Sequence, residues 1–180
     1  MDEKQLFRDC LNGDRRAQKK LYDRYAGKMF AVCMRYAKDR PTAEDYLQEG
    51  FIRVFRKLDS FREEGSFEGW IRTIMVNTSL EILRKNDLLA ASDDYTRYVG
   101  LAQPDPGIIE HMQEQELISL IQQMPAGFRT VFNLYAIEGY THKEIGDKLQ
   151  INEGTSKSQY ARAKVWLQHK LIQSDERDRR

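Results

Sequence analysis

Proline is scarce in this chain, at 4 of 180 residues, and glycine is limited to 11. The stretches between these breakers are long, and their apolar residues recur every three or four positions. Strand-like alternation is absent. That pattern argues against a β-rich fold and predicts an all-α chain. Cysteine is scarcer still. Cys10 and Cys33 sit far apart with no partner motif, so both read as small buried hydrophobes in a reducing compartment. The three histidines, His111, His142 and His169, have no second ligand at metal spacing, and neither a metal nor another cofactor is expected. No apolar run approaches the roughly 20 residues of a membrane span. The opening MDEKQLF lacks a basic start followed by an apolar run, so no secretory signal and a cytoplasmic location are expected. A glycine-rich phosphate loop is missing too, as is a nucleophile beside a base in a recognisable motif. No enzymatic activity is expected.

An excess of one charge is also lacking, with 29 basic against 28 acidic residues. The distribution is uneven, however. Residues 1–85 carry 18 basic and 14 acidic side chains, residues 86–116 carry 1 and 7, and residues 141–180 carry 9 and 6. Two mildly basic blocks flank an acidic middle, a pattern that hints at nucleic-acid contact at both ends.

The helical pattern divides into two lobes. Residues 1–86 hold four expected helices. The first covers Glu3 to Leu11 and stops at Asn12-Gly13. Asp14 caps the second, whose apolar face is Ala17, Leu21, Tyr25, Met29, Val32 and Tyr36. Pro41 marks a break, with Thr42 or the preceding turn capping the third. Its stripe is Tyr46 or Leu47, Phe51, Val54, Phe55 and Leu58. After a loop from Asp59 to Gly65, Ser66 caps the fourth, with Phe67, Trp70, Ile71, Ile74, Leu80 and Leu83 as its apolar set. From residue 87 to 107 the pattern collapses into an acidic stretch with two prolines, which reads as a flexible linker. A second lobe, 108–173, opens with Leu117, Ile118, Leu120, Ile121 and Met124. Pro125 starts the next helix at a first-turn position. That helix is expected to bury Phe128, Val131, Phe132 and Tyr135 and to end at Gly139. Residues 174–180 read as a charged tail.

The sharpest local signal follows. Thr141-His142-Lys143-Glu144 is a capping box. It starts a short helix whose Ile145 and Leu149 point inward and whose Gly146 permits close approach of a neighbour. Gln150-Ile151 makes a turn with Ile151 plugging the core, and Asn152 caps a longer helix. Ser156, Tyr160, Ala163 and Leu167 fall on its inner face. Lys157, Ser158, Gln159, Arg162 and Lys164 fall outside. A short helix, a tight turn and a long helix with a polar, basic outer face read as a helix-turn-helix, whose second helix enters the DNA major groove. Thr155 at the start of that helix suits a phosphate.

In the first lobe, the loop Asp59 to Gly65 with Phe61 and Arg62 is a candidate pocket for a flipped base, and the helix after Ser66 interleaves aromatics with basic and amide side chains at Phe67, Trp70, Arg72, Asn77, Arg84 and Lys85. Such interleaving suits single-stranded nucleic acid, which rings stack against and cations hold. On the third helix Asp45, Gln48 and Glu49 share a face at steps of three and four. An acidic face in a DNA-binding protein fits a basic protein partner better than phosphate.

These strings resemble the extracytoplasmic-function class of the bacterial sigma-70-type RNA polymerase sigma factors. AEDYLQEGFIRVF (residues 43–55) is similar to the polymerase-binding helix of sigma region two. GSFEGWIRTIMVNTSLEILRK (residues 65–85) is similar to the promoter-melting and minus-ten helix. Residues 124–167 resemble sigma region four. The resemblance implies that Asp45, Gln48 and Glu49 dock on the clamp helices of the largest polymerase subunit, with a further contact to the beta-subunit flap. It implies that Phe61, Arg62 and the loop to Ser66 capture a flipped minus-ten base and that Trp70, Thr73 and Asn77 shape strand opening. Thr155, Lys157, Ser158, Gln159 and Arg162 would contact the minus-thirty-five element. The acidic linker would run towards the RNA exit channel, and an anti-sigma factor would hold the protein in check. Three departures stand out: Glu81 where the class usually has Asp, Ser156 where a small apolar residue is common, and Ala161 at an outward position of the recognition helix. The alternative is a helix-turn-helix transcriptional regulator with an unrelated sensor lobe.

Overall fold

The computed structural model describes residues 2–85 and 114–178, and all described elements are helical. The expected linker at 87–107 and the start of the second lobe near Ile108 lie outside the described residues. The chain divides into two compact units, Met1–Ile82 and Leu83–Arg180.

In the first unit, α1 (Glu3–Leu11) ends where Gly13 takes a φ of +79°, a conformation glycine adopts without strain. Asp14 then starts α2 (Arg15–Tyr36): its carboxylate accepts from the amides of Arg16 at 2.7 Å and Ala17 at 3.2 Å. The whole expected face of α2 is buried, together with Cys33. The cap of α3 (Arg40–Arg56) comes from the preceding turn, one of the two expected sources. Asp39 is its cap, accepting from the Thr42 amide at 2.9 Å, and Pro41 lies within the first turn. Proline is tolerated there because first-turn amides have no helical partner anyway. A 3-10 turn at Leu58–Ser60 leads into the loop, and Ser66 opens α4 (Phe67–Lys85), its hydroxyl accepting from the Gly69 amide at 3.1 Å.

Helix α2 packs along α3, and α1 lies against α2. Close approach of α3 and α4 depends on Gly50, because any Cβ there would occupy the space of the Met75 thioether. The apolar set of α4 is wider than its sequence spacing suggested: Met75 and Val76 are buried along with Ile71, whereas Trp70 and Ile74 are only half-buried. Cys10 and Cys33 are free and buried, and burial pushes their thiols up to about 11 and about 12. Both are therefore uncharged and unreactive near neutrality.

The second unit contains α5 (Glu114–Gln123), α6 (Ala126–Phe132), a π-turn (Asn133–Ile137), α7 (His142–Leu149) and α8 (Glu153–Asp178). Ile121, Met124, Phe128, Phe132, Ala163, Trp166 and Leu167 form its core. The Ile, Met, Phe and Leu side chains among them each contribute about 1.5–3 kcal/mol of apolar burial. Pro125 caps α6 rather than sitting in its first turn. Buried Arg129 closes the α5–α6 corner, its Nη1 donating to the Gln122 carbonyl at 2.9 Å. This bond satisfies a carbonyl that the end of α5 would leave unpaired.

Tyr135 does not join the core as its spacing suggested. The π-turn adds a residue to the helical repeat, so Leu134 is buried instead and Tyr135 is 39% exposed. The capping box forms as expected. Thr141 Oγ1 accepts from the Glu144 amide at 3.3 Å, and Glu144 Oε2 accepts from the Thr141 amide at 2.8 Å. The bond from the Thr141 amide first, and then one from the Thr141 hydroxyl to the same oxygen at 2.8 Å, hold the Glu144 carboxyl below its usual range. Gln150 makes the turn with a left-handed φ of 57°. The neighbour that Gly146 admits is the turn itself, since a Cβ there would lie 2.7 Å from the Ile151 carbonyl oxygen. Ile151 is only half-buried, so it edges the core rather than plugging it.

Candidate functional site

On α3, Asp45 and Gln48 are both exposed. With Tyr22, Leu47, Phe51 and Phe55 they border a groove of about 570 Å³ between α2 and α3. Its floor is apolar, Glu44 and Asp45 give it an acidic rim, and Ile52 lies 40% exposed beside them. Glu49 does not line this groove. Its carboxylate accepts from Arg53 Nε at 3.0 Å, and Arg53 Nη1 donates to Glu81 on α4 at 2.5 Å. The structure therefore brings Asp45 and Gln48 together and ties Glu49 to α4 instead.

In the loop, Phe61 is half-buried among rings rather than open to a ligand on both faces. Its centroid lies 5.4 Å from Phe7, 5.0 Å from Phe67 and 5.5 Å from Trp70. Glu3, Lys4, Phe7, Phe61, Glu63, Gly65 and Phe67 enclose a small cavity of about 80 Å³. Glu63 holds a left-handed φ of 54°, strained for a residue with a Cβ, and it lies two residues before Gly65 at +83°. Arg62 and Ser66 are exposed. Trp70 stacks on Phe67 at 5.7 Å and an interplanar angle of 12°. Thr73 and Asn77 continue its row at steps of three and four, both exposed, with the Thr73 hydroxyl donating to the Gly69 carbonyl at 2.9 Å. Sequence reasoning missed the part played by α1. The available signal was the Leu6, Phe7 and Cys10 face of that helix, all three now buried. Tyr25 clamps the start of α1 by donating its hydroxyl to Glu3, and burial above all raises its pKa.

On α8, Asn152 accepts from the Thr155 amide at 2.7 Å and the Thr155 hydroxyl at 3.1 Å, so Thr155 serves the cap. Lys157 and Ser158 are exposed, and Lys157 pairs with Glu153 at 2.6 Å. That pair, its hydrogen bond first, lowers the Glu153 pKa. Pairs this exposed are weak and dissolve readily when a phosphate competes. Arg162 is half-buried. Gln159 departs from expectation. It falls three residues after buried Ser156 and four before buried Ala163, so it turns inward. Its amide abuts α6, where a Cβ on Gly127 would meet Oε1 at 2.9 Å.

A polar and aromatic cluster joins α7 to α8. His142 Nδ1 lies 3.0 Å from the Oγ of fully buried Ser156, and the imidazole stacks on Tyr135 at 4.2 Å and 11°. Tyr160 completes the group, 4.6 Å from Tyr135. Ser156 is thus a bonded anchor rather than a packing defect. Nothing in the spacing of His142 signalled this.

Two similarities bear on these arrangements. Residues 21–88 match the family model described as Sigma-70 region 2, and residues 114–167 match Sigma-70, region 4. Together they span more than half of the chain.

The chain belongs to the sigma-70 family.

Its place there is the extracytoplasmic-function class. It is 32% identical over 156 residues to ECF RNA polymerase sigma factor SigE of Mycolicibacterium smegmatis, a match covering 84% of this chain and 60% of that protein. It is 28% identical over 173 residues to the RNA polymerase sigma-H factor of Pseudomonas aeruginosa, covering 90% of each. Its fold is similar to that of the sigma factor RpoE of Bartonella quintana, crystallised with the anti-sigma factor NepR. There the TM-score is 0.52 at 20% identity, over 86% of this chain and 96% of that one. In this sigma-70 family member the region 2 match starts after α1, so the helix that packs Phe7 against Phe61 lies outside it. The same match disfavours the reading of a regulator with an unrelated first lobe. Among the described residues no helix is long and apolar enough to cross a membrane.

Proposed function

We propose that this chain directs core RNA polymerase to specific promoters as an extracytoplasmic-function sigma factor, acts in the cytoplasm and carries no catalytic chemistry of its own. The observation that carries this reading is the pairing, on one chain and in this order, of a region 2 match and a region 4 match. The geometry of each unit supports separate tasks. The α2–α3 groove with Asp45 and Gln48 on its rim suits a basic, partly apolar helical partner, here the clamp helices of the largest subunit. The beta-subunit flap would meet the second unit. The row of half-buried Trp70 and exposed Thr73 and Asn77 suits strands being separated, and the loop holding Phe61, Arg62 and Ser66 suits a base drawn out of the stack. Lys157, Ser158 and Arg162 face the minus-thirty-five duplex, with Thr155 shaping the helix start. Gln159 and Glu49 support this reading least, because each is engaged within its own unit. An anti-sigma factor would hold the chain in check; the Bartonella protein was crystallised with one. The test is Asp45→Lys. Pull-down by core polymerase should fall at least about tenfold, the effect of setting like charges against a basic partner, while the unfolding midpoint stays the same. Undiminished pull-down would remove Asp45 from the docking face.

A further inference from the structure

Two rows of side chains run along α3 and α4 in the first unit. On α3, Asp45 leads at a step of four to Glu49, with Gln48 beside it. On α4, Trp70, Thr73, Asn77 and Glu81 follow at steps of three, four and four, which keeps them on one face. Asp45 and Gln48 of the first row are read above as facing polymerase, and Trp70, Thr73 and Asn77 of the second as facing the separating strands. The two rows end on two carboxylates, Glu49 and Glu81, and one guanidinium joins those ends. Arg53 Nε takes Glu49 at 3.0 Å and Nη1 takes Glu81 at 2.5 Å. The arginine side chain is only 24% exposed, against 40% for Glu49 and 36% for Glu81. Next to it on the same helix, Gly50 lets Met75 of α4 approach α3 closely. A small shift of α4 at this crossing is therefore met by packing on one side and by the arginine fork on the other.

We propose that Arg53 is a positioning residue for promoter opening: it fixes the strand-facing row of α4 relative to the polymerase-facing row of α3. Only arginine has the geometry for this. Its planar fork offers separate N–H groups to two acceptors in fixed directions, whereas a lysine ammonium is a single point charge on a flexible stem. The pairing has a second consequence. It neutralises Glu81, which stands at the end of a row that approaches phosphate. Loss of Arg53 removes one positive charge from beside that carboxylate.

The proposal rests on the sigma-factor reading, and its test separates the two. Wild type, Arg53→Lys, Arg53→Met, Glu81→Gln and the double variant Arg53→Met/Glu81→Gln are each combined with core RNA polymerase from the organism that carries the gene. Transcription is measured on one promoter, selected from genomic fragments with the wild-type chain, as closed duplex and as a template with a pre-melted bubble at the minus-ten region. The expected result is a duplex-to-bubble ratio lowered about tenfold in Arg53→Met and less in Arg53→Lys, with binding to core unchanged. The double variant should be no worse than Arg53→Met, because both substitutions break one brace. A merely destabilised protein would lose activity on both templates and show a lower unfolding midpoint. Equal ratios for wild type and Arg53→Met, or equal losses on duplex and bubble, overturn the positioning role. Failure of the wild-type chain to support transcription on any fragment overturns the reading beneath it instead.

Discussion

At the scale of single residues, the second unit depends on a few polar contacts whose strength depends on burial. His142 is one. Burial, and after it the nearby Lys157 ammonium, hold its imidazole below the ordinary value of 6.5, with Glu153 opposing. The neutral ring is therefore the form the fold favours. Its contribution is fully present above 6.5 and is lost as pH falls through the depressed folded value. Between about pH 7.5 and about pH 5.5 the urea midpoint of the wild type should fall more than that of His142→Phe, which keeps the stack on Tyr135 but cannot titrate. Parallel pH profiles for the two proteins would show that the imidazole is not the acid-sensitive group. Gly146 is a second such position. Its missing Cβ leaves 2.7 Å to the Ile151 carbonyl oxygen, a backbone atom that cannot swing aside. Gly146→Ala should cost about 1–3 kcal/mol in chemical denaturation. A loss below a few tenths would mean that the turn moves freely relative to α7.

At the scale of elements, the caps and the buried stripes were legible in the sequence, and the exceptions share one cause. Asp14, Ser66, Thr141 and Asn152 all cap as read, because a side-chain oxygen next to free amides is a purely local signal. The face of α2 held over six turns because nothing interrupts its period. Tyr135 failed because the helix changes period at Asn133, which no spacing rule anticipates. Gln159, read as outward, turns in against Gly127, and Glu49, still 40% exposed, takes Arg53 one turn on as its partner. The α1–loop contact through Phe7 is long-range in sequence: the face of Leu6, Phe7 and Cys10 marks a side to be buried but not the partner that buries it. On α8 the consequence is a narrower candidate reading surface, chiefly Lys157, Ser158 and Arg162. Arg162→Ala should reduce transcription from a cognate promoter by the equivalent of about 1–3 kcal/mol, and should leave a promoter with a scrambled upstream element unaffected. Equal loss on both promoters would mean that Arg162 contacts phosphate rather than a base.

At the scale of the whole chain, the near-zero net charge conceals a division of labour. Residues 1–85 and 141–180 are each net basic, and residues 86–116 between them are acidic. Neither basic block is strong enough to hold duplex DNA tightly by counterion release alone, which fits a subunit that reads promoters only when polymerase supplies most of the contact. The region 2 match, 21–88, falls mostly in the first unit and the region 4 match, 114–167, in the second, with most of the acidic stretch between them. The most direct test of this account is transcription in vitro, with purified chain, core RNA polymerase and a library of genomic fragments, followed by mapping of start sites. The account predicts discrete start sites that appear only when chain and core are both present and that share sequence elements near minus ten and minus thirty-five. Random initiation unaltered by the chain, together with tight binding of the chain to duplex DNA without polymerase, would contradict it.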